Sequence, residues 1–517
     1  MTAVRTLRVL ALTCLLGALL APAAAADMLS LKDGRFISDR KIERIVGGYH
    51  VQYEHGTVFV PDKLVADYFK AGADGAFVPR NDEEKAKVEK GLLPFEGGWI
   101  KKAKREKLIK AKVKAQEERL AQQKARRKWR NREIVKTKLF EFHHTLPDDL
   151  FAEFRSLFET YYKVFSKEWK IRPSKDFGKV TINIYHDEEY YQQVSGAQPG
   201  VVGWYMPADR DLHFFYDRDR HEFTVDVMFH EGNHMLTHMI NVRMWYPSWL
   251  GEGMAEYYGA SEWDAKAKTM ELGRIQSSRL CVLWNQVEER EKKGKDNAWH
   301  GLEELIKSQR IGAIGYSWAW SFCHFLLSSP KYQKGFKKFF KALGTDKKIK
   351  RVPYGPFVTV PPDEQIRLLL KYLKVKDIRN LEKEWHQYIR KELALDLVEL
   401  DWAGAGWIMS LYGERKKARE FFEKAVAEGE QSGYVYYSYA KLLFDSDDRD
   451  QASTYVQKAI DADPFHARAW LLKGLCHIRK GKKDEGMKFI DLAMELDPDD
   501  SHIWLAKAFE EDNPEGG

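Results

Sequence analysis

Residues 230–234 read His230-Glu231-Gly232-Asn233-His234, and eighteen residues beyond His234 stands Glu252, inside Trp249-Leu250-Gly251-Glu252-Gly253-Met254-Ala255-Glu256. The first run fits H-E-x-x-H on a helix, which puts two imidazoles one turn apart on the same face. That spacing lets both reach one zinc ion at about 2.0–2.1 Å, with Glu231 beside them as a carboxylate able to take a proton from metal-bound water. The flanks suit a buried helix: Val227, Met228, Met235, Leu236, Met239 and Ile240 recur between Phe223 and Val242, with no proline. Catalytic zinc takes three protein ligands and keeps one position open, so a third ligand must come from elsewhere. Glu252 is the candidate, and Glu256 shares its face four residues on in a second helix-like run, Trp249 to Tyr258. His238 lies further along the first helix, but three histidines spread over about 12 Å of straight helix cannot share an ion. The bland alternative is a pair of hydrogen-bonded core histidines.

With these residues in place the sequence resembles the gluzincin zinc peptidases, and more narrowly a bacterial peptidase-MA-like group that often carries tetratricopeptide repeats. The resemblance implies a zincin-like domain, Zn²⁺ as cofactor, His230, His234 and Glu252 as metal ligands, Glu231 as catalytic base, and Glu256 as the residue orienting a ligand histidine. The metzincin pattern needs glycine and histidine where this chain has Thr237 and Ile240, so that group is excluded.

Upstream, Pro147 opens a helical pattern through Leu150, Phe151, Phe154, Leu157, Phe158, Tyr161 and Phe165, and Val180, Ile182 and Ile184 alternate as in a strand. Gly203-Trp204-Tyr205-Met206 and Leu212-His213-Phe214-Phe215-Tyr216 flank Pro207-Ala208-Asp209-Arg210, which reads as a hairpin feeding the metal helix. In gluzincin-like proteins the strand before that helix lies at a sheet edge and pairs with extended substrates; an ordinary hairpin is the other reading. Downstream, Tyr316-Ser317-Trp318-Ala319-Trp320 resembles a helix that packs behind the site. By that resemblance Tyr316 is a candidate catalytic donor to an oxyanion, against a role as a core aromatic, and His324 is a weaker candidate to approach the site. His213 and His221 are expected on surface or loops.

At 517 residues, with 44% hydrophobic and 13% aromatic residues, the chain is globular and long enough for several domains. Arg5 and Arg8, the apolar run Val9–Leu20 and the alanines before Asp27 read as a signal peptide, so an exported protein is expected, in the periplasm or cell envelope or secreted. The apolar run is too short to span a bilayer and no later stretch could. Beyond Cys14 only Cys281, Cys323 and Cys476 remain, which is neither a disulfide framework nor a structural zinc site. Residues 101–138 carry 17 Lys and Arg against 4 Glu, a local +13 in a chain of net +7. This predicts a solvated basic helix, either a charged spacer or a weak contact with an anionic surface; its lone aromatic, Trp129, argues against specific nucleic-acid binding.

The tail repeats. Gly406, Ala440, Gly474 and Ala508 stand 34 apart, as do Trp402, Tyr436, Trp470 and Trp504, and Pro464 and Pro498 close two repeats. This is the tetratricopeptide period and predicts three helix pairs and a terminal helix. The expected organisation is α+β: residues 1–26 signal peptide, 27–100 a small β-rich module, 101–135 a basic helical linker, 136–400 the gluzincin-like domain, and 401–513 an all-α repeat solenoid. The expected function is an exported zinc metallopeptidase acting on a peptide or protein substrate, with a protein partner in the repeat groove. A non-catalytic repeat scaffold with a peptidase-like binding domain is the alternative; it would be favoured by loss of a ligand or the base, and none is lost.

Overall fold

The computed structural model describes residues 27–33, 35–38, 40–72, 76–171, 177–198, 200–264, 267–292, 300–395 and 400–512. The signal-peptide reading and Cys14 lie outside the described residues. The chain divides into two compact units, residues 1–117 and 118–517.

In the first unit β1 (Met28–Leu31) pairs antiparallel with β2 (Phe36–Ile37) and β6 (Val65–Phe69), while β3 (Ile42–Ile45), β4 (Gly48–Gln52) and β5 (Thr57–Pro61) form a meander. The helix α1 (Asp82–Glu89) leads to the hairpin β7 (Leu92–Phe95) and β8 (Gly98–Lys101). The basic segment forms α2 (Lys102–Arg126), which crosses the division between the units. It is mostly solvated, as its charge requires; Arg105 is the buried exception, donating from Nε to the Pro94 carbonyl at 2.7 Å.

The second unit is built on a five-stranded mixed sheet of order β12-β13-β11-β10-β9. Its strands are β9 (Glu133–Lys136), β10 (Phe140–His144), β11 (Val180–Tyr185), β12 (Gly203–Met206) and β13 (Asp211–Phe215). The central pairings β10–β11 and β11–β13 are parallel and the two outer ones antiparallel. Strand β9 starts inside the expected basic linker, because the ladder with β10 recruits Ile134 and Val135. Val180, Ile182 and Ile184 face the main core with α3 (Asp148–Trp169), while Tyr185 and Phe215 face the opposite side with Tyr191 of α4 (Glu188–Ser195). Alternation along β11 thus gives the sheet two covered faces.

One correction concerns the hairpin. The strand immediately before the metal helix, β13, lies inside the sheet, and the edge is β12. Both β11 and β12 pair with β13, and the hairpin turn throws β12 outward. Which hairpin arm closes a sheet depends on long-range pairing, which the hairpin's own sequence does not encode.

The helical layer follows: α5 (His221–His238), α6 (Ser248–Gly259), the hairpin β14 (Glu262–Asp264) and β15 (Thr269–Glu271), α7 (Ser277–Lys292), α8 (Leu302–Lys307), α9 (Ala313–Ser328) and α10 (Gln333–Thr345). The hairpin β16 (Val352–Tyr354) and β17 (Phe357–Thr359), α11 (Pro362–Leu373) and α12 (Ile378–Glu392) complete it. Helices α6 and α9 pack backbone to backbone at Gly253, where a Cβ would stand 2.5 Å from the Ala319 carbonyl oxygen and 2.7 Å from Cys323 Sγ. Only glycine permits that approach. Among the described residues no helix is long and apolar enough to cross a membrane.

The C-terminal array consists of the pairs α13 (Trp402–Leu411) with α14 (Arg415–Ala427), α15 (Gly433–Asp445) with α16 (Arg449–Ala462), and α17 (Ala467–Arg479) with α18 (Lys483–Leu496), then α19 (Ser501–Asp512). The repeat register is visible in contacts: Trp470 and Trp504, 34 apart, each donate from Nε1 to the carbonyl of a proline six residues earlier at 2.8 Å, Pro464 and Pro498. The small residues Ala418, Ala425, Ala452, Ala459 and Ala493 are all fully buried or nearly so, where helices meet.

Candidate metal centre

Helix α5 carries His230 and His234 on one face, and α6 folds back against it so that Glu252 meets both rings. His230 Nε2 stands 3.3 Å from Glu252 Oε2, and His234 Nε2 stands 3.4 Å from the same oxygen. One ligand atom from each of the three residues lies within 4.8 Å of the others. Donors held about 2.0–2.1 Å from a tetrahedral zinc are separated from one another by about 3.3–3.4 Å, so the spacing fits that ion. Glu252 Oε2 is buried and has no hydrogen-bond partner. A buried carboxylate oxygen without a donor costs free energy, and a cation would remove that cost. Two imidazole nitrogens and a carboxylate are the donor set of a zinc site with an open position.

The support behind the ligands extends further than the motif. His230 Nδ1 lies 3.4 Å from Glu256 Oε1, and Arg279 of α7 holds the Glu256 carboxylate in a two-pronged contact, Nε to Oε2 at 2.9 Å and Nη2 to Oε1 at 2.7 Å. The chain Arg279–Glu256–His230 fixes the ring and favours Nε2 as the outward-facing donor. Burial works against charge on His230, but the adjoining Glu252 and Glu256 carboxylates lift its pKa well above the ordinary histidine value. Burial would raise Glu256, yet the Arg279 charge and the His230 contact bring it down to about 2. Glu252 is likewise held below the usual carboxylate range against burial, by the charge of His234 and the closeness of both rings.

Glu231 differs from these two acids. It is buried beside the rings without a paired base, and burial pushes its pKa up from the carboxylate value. The backbone N–H of Tyr205, on edge strand β12, faces its carboxylate. Strand and helix touch at Gly203, where a Cβ would stand 2.8 Å from Val227 Cγ1 and 3.0 Å from Glu231 Cγ. The proton-accepting candidate and the free sheet edge are therefore one surface.

Tyr316 opens into the same space. Its ring is stacked over His230 with centroids 6.2 Å apart, Arg279 lies 5.1 Å from its ring centre, and burial holds its phenol far above the usual tyrosine pKa, hence protonated. The other histidines stay away from the metal residues. His238 lies between the Tyr205 hydroxyl (Nδ1, 2.8 Å) and the Val242 carbonyl (Nε2, 2.8 Å). His324 is a correction: it is taken up by Tyr388 Oη at 2.8 Å and the Gly273 carbonyl at 3.1 Å, within the core behind α6. His213 is also no surface residue; it stacks on Trp204 with centroids 4.0 Å apart and contacts Tyr185 Oη at 2.9 Å. His221 sits at the start of α5, 3.1 Å from Glu153.

A cleft of about 600 Å³ is lined by His230 and Glu231, though not by His234 or Glu252. Its walls include Gly203, Arg279, Tyr316 and, from the repeat array, Trp407 and Tyr412. Arg279 and the array residues are the participants that motif reading missed. Arg279 belongs to no pattern; for Trp407 and Tyr412 a signal existed, since neither residue repeats at the 34-residue period.

Residues 224–350, which contain all six candidate site residues, match a family described as a protein of unknown function, DUF1570. Residues 437–501 match the tetratricopeptide repeat family, so the helical C-terminal region is a tetratricopeptide array on a mixed α+β protein. No curated protein matches the chain. Among solved structures the chain is similar to one titled "Crystal structure of YrrB: a TPR protein with an unusual peptide-binding site", at 22% identity over 34% of this chain and 84% of that one. The TM-score is 0.21, too low for any inference about arrangement. Tetratricopeptide arrays offer binding surfaces for proteins, which suggests a protein-binding scaffold for the C-terminal region.

Proposed function

We propose that the chain is a zinc-dependent peptidase of the gluzincin type, acting outside the cytoplasm on the strength of the leader-like N-terminal stretch. The observation that carries the reading is the convergence of His230, His234 and Glu252 with a buried, partnerless oxygen at their meeting point. Zinc held by these residues would polarise a scissile carbonyl and make a water acidic at its open position. Everything else falls to the chain's own groups. Strand β12 offers its outer backbone to an extended peptide, which pairs without regard to sequence. Glu231, with raised proton affinity, accepts the attacking water's proton and passes it to the leaving amine. The protonated Tyr316 phenol donates to the carbonyl oxygen as that oxygen gains charge. Glu256 and Arg279 hold His230 in place throughout.

The test is metal analysis of the purified full chain, followed by digestion of a mixed peptide library with and without chelator, read by mass spectrometry. Stoichiometric zinc, and cleavage that chelator stops and added zinc restores, are expected. A chain that binds no zinc, or that binds it and leaves every peptide intact, would return the repeat-scaffold reading.

A further inference from the structure

The array does not stand apart from the metal domain. The first helix of each pair faces it, and one register position does so in three successive repeats. Tyr434 stacks on Arg220 with the guanidinium carbon 5.3 Å from the ring centre; 34 residues on, Arg468 meets Glu189 at 3.7 Å; 34 further, His502 meets Glu189 at 2.7 Å. Ser501 donates to Asp187 at 2.7 Å, and Asp497 pairs with Arg218. Arg220 immediately precedes α5, and its guanidinium carbon lies 3.8 Å from the Trp407 ring centre and 4.1 Å from that of Phe223. This face of the array holds the molecule's own preceding domain, and it grips Arg220, the residue from which α5 starts.

The first repeat then departs from its own pattern where it reaches the cleft. At the register of Trp407 the two later helix pairs carry Lys441 and Leu475, with Phe509 exposed in the terminal helix, and at that of Tyr412 the later pairs carry Ser446 and Lys480. Helix packing within the array therefore requires neither aromatic. Tyr412 is 46% exposed, and its ring lies 6.3 Å from that of Tyr316. An aromatic that the repeat does not need, half open in a cleft and one ring away from a residue stacked on His230, is placed for a ligand.

We propose that Trp407 and Tyr412 are specificity-determining residues of the metal cleft, so that the tetratricopeptide array acts as a wall of the substrate site. This rests on the peptidase reading above for the nature of the ligand, an extended peptide whose apolar or aromatic side chains would stack against the two rings. In this view the array selects side chains, while β12 holds the backbone.

The experiment uses the full chain with Glu231→Gln, loaded with zinc, as a trap for peptides. A random hexapeptide library is passed over it, retained peptides are sequenced, and their affinities are measured by fluorescence anisotropy. Tyr412→Ser and, separately, Trp407→Leu are added to the same background; both place at the site the residue a later repeat carries there. The Tyr412 side chain is half exposed, so its variant should fold, which far-UV circular dichroism and zinc content check. The expected result is a changed set of retained peptides and an affinity loss of about tenfold or more for those the parent selects, the scale of an aromatic anchor at an interface. The same peptides bound with the same affinity by folded Tyr412→Ser and Trp407→Leu proteins would overturn the proposal, as would a parent that retains no peptide. If retention depends on Tyr412 while the protein with Glu231 intact cleaves none of the retained peptides, the wall stands and the hydrolase reading falls. If Tyr412→Ser and Trp407→Leu proteins with Glu231 intact cleave the same bonds as the wild-type chain, the reverse holds.

Discussion

The candidate metal centre and the repeat array are both built largely on helices, but they are assembled by opposite rules. In the array each helix meets its neighbours in sequence, and the same small residues return every 34 positions to the same contacts. In the candidate metal centre nothing repeats: α5, α6, α7, α9 and the edge strand β12 each send one to three side chains or backbone groups to a single point. Nearest-neighbour assembly spreads stability evenly and tolerates local damage. Convergent assembly concentrates dependence on a few residues, so single substitutions should act on the two regions very differently.

The largest effects should fall on the convergent site and separate its parts. Glu231→Gln removes the proton acceptor but none of the three ligands; we expect unchanged zinc content and a loss of about 10²–10⁴-fold in kcat. Glu252→Ala leaves two imidazoles for the ion, and both zinc and turnover should disappear. Metal analysis beside steady-state kinetics on one peptide reads both. If the two variants lose zinc and activity in parallel, Glu231 is a structural member of the cluster and the division of roles is wrong.

Tyr316→Phe should come next. If its phenol meets the developing oxyanion, kcat falls by about 10²–10³-fold while KM for the peptide changes little. A rise in KM with kcat preserved would make it a binding aromatic, in the same class as Tyr412. Arg279→Ala acts at one remove, through Glu256 on His230, and the expected readout is zinc affinity, weakened by about 10–100-fold. Arg279→Lys, which keeps the charge but not the two-pronged geometry, should recover part of it; if Ala and Lys behave alike, charge is not what Arg279 supplies.

The contrast also explains what the sequence could and could not convey. The metal helix is legible because H-E-x-x-H is a local pattern at helical period, and Glu252 with Glu256 is another. The array is legible because a period of 34 survives in Gly406, Ala440, Gly474 and Ala508. Arg279 is silent: an arginine on an amphipathic helix reads as a surface residue until tertiary packing brings it to Glu256. The choice of β12 over β13 as the free edge depends on β13 finding β11, a pairing between segments about thirty residues apart that neither strand's alternation reveals. His324 sat within a suggestive aromatic run, yet its ring is committed to Gly273 and Tyr388. Trp407 and Tyr412 were readable only as exceptions, since a repeat makes visible the residues that break it.

The smallest expected effect gives the sharpest comparison, because one chemical change can be made in both regions. Gly474 and Gly253 each sit where a Cβ would collide with backbone: 2.7 Å from the Gly486 carbonyl oxygen in the array, and 2.5 Å from the Ala319 carbonyl oxygen behind the metal site. Replacing either with alanine forces helices apart and should cost about 1–3 kcal/mol, as overpacking does. Thermal melting should register the two losses at similar size. Zinc affinity should not. In the array the strain is absorbed between α17 and α18, neither of which carries a ligand, and the metal should bind as before. At Gly253 the displaced helix is α6, and the neighbouring residue is Glu252, so the carboxylate moves off the two rings and zinc binding should weaken with the melt. Equal zinc affinity in the two variants would show that the ligand position does not depend on the α6–α9 contact, and that the centre is held by the motif helix alone.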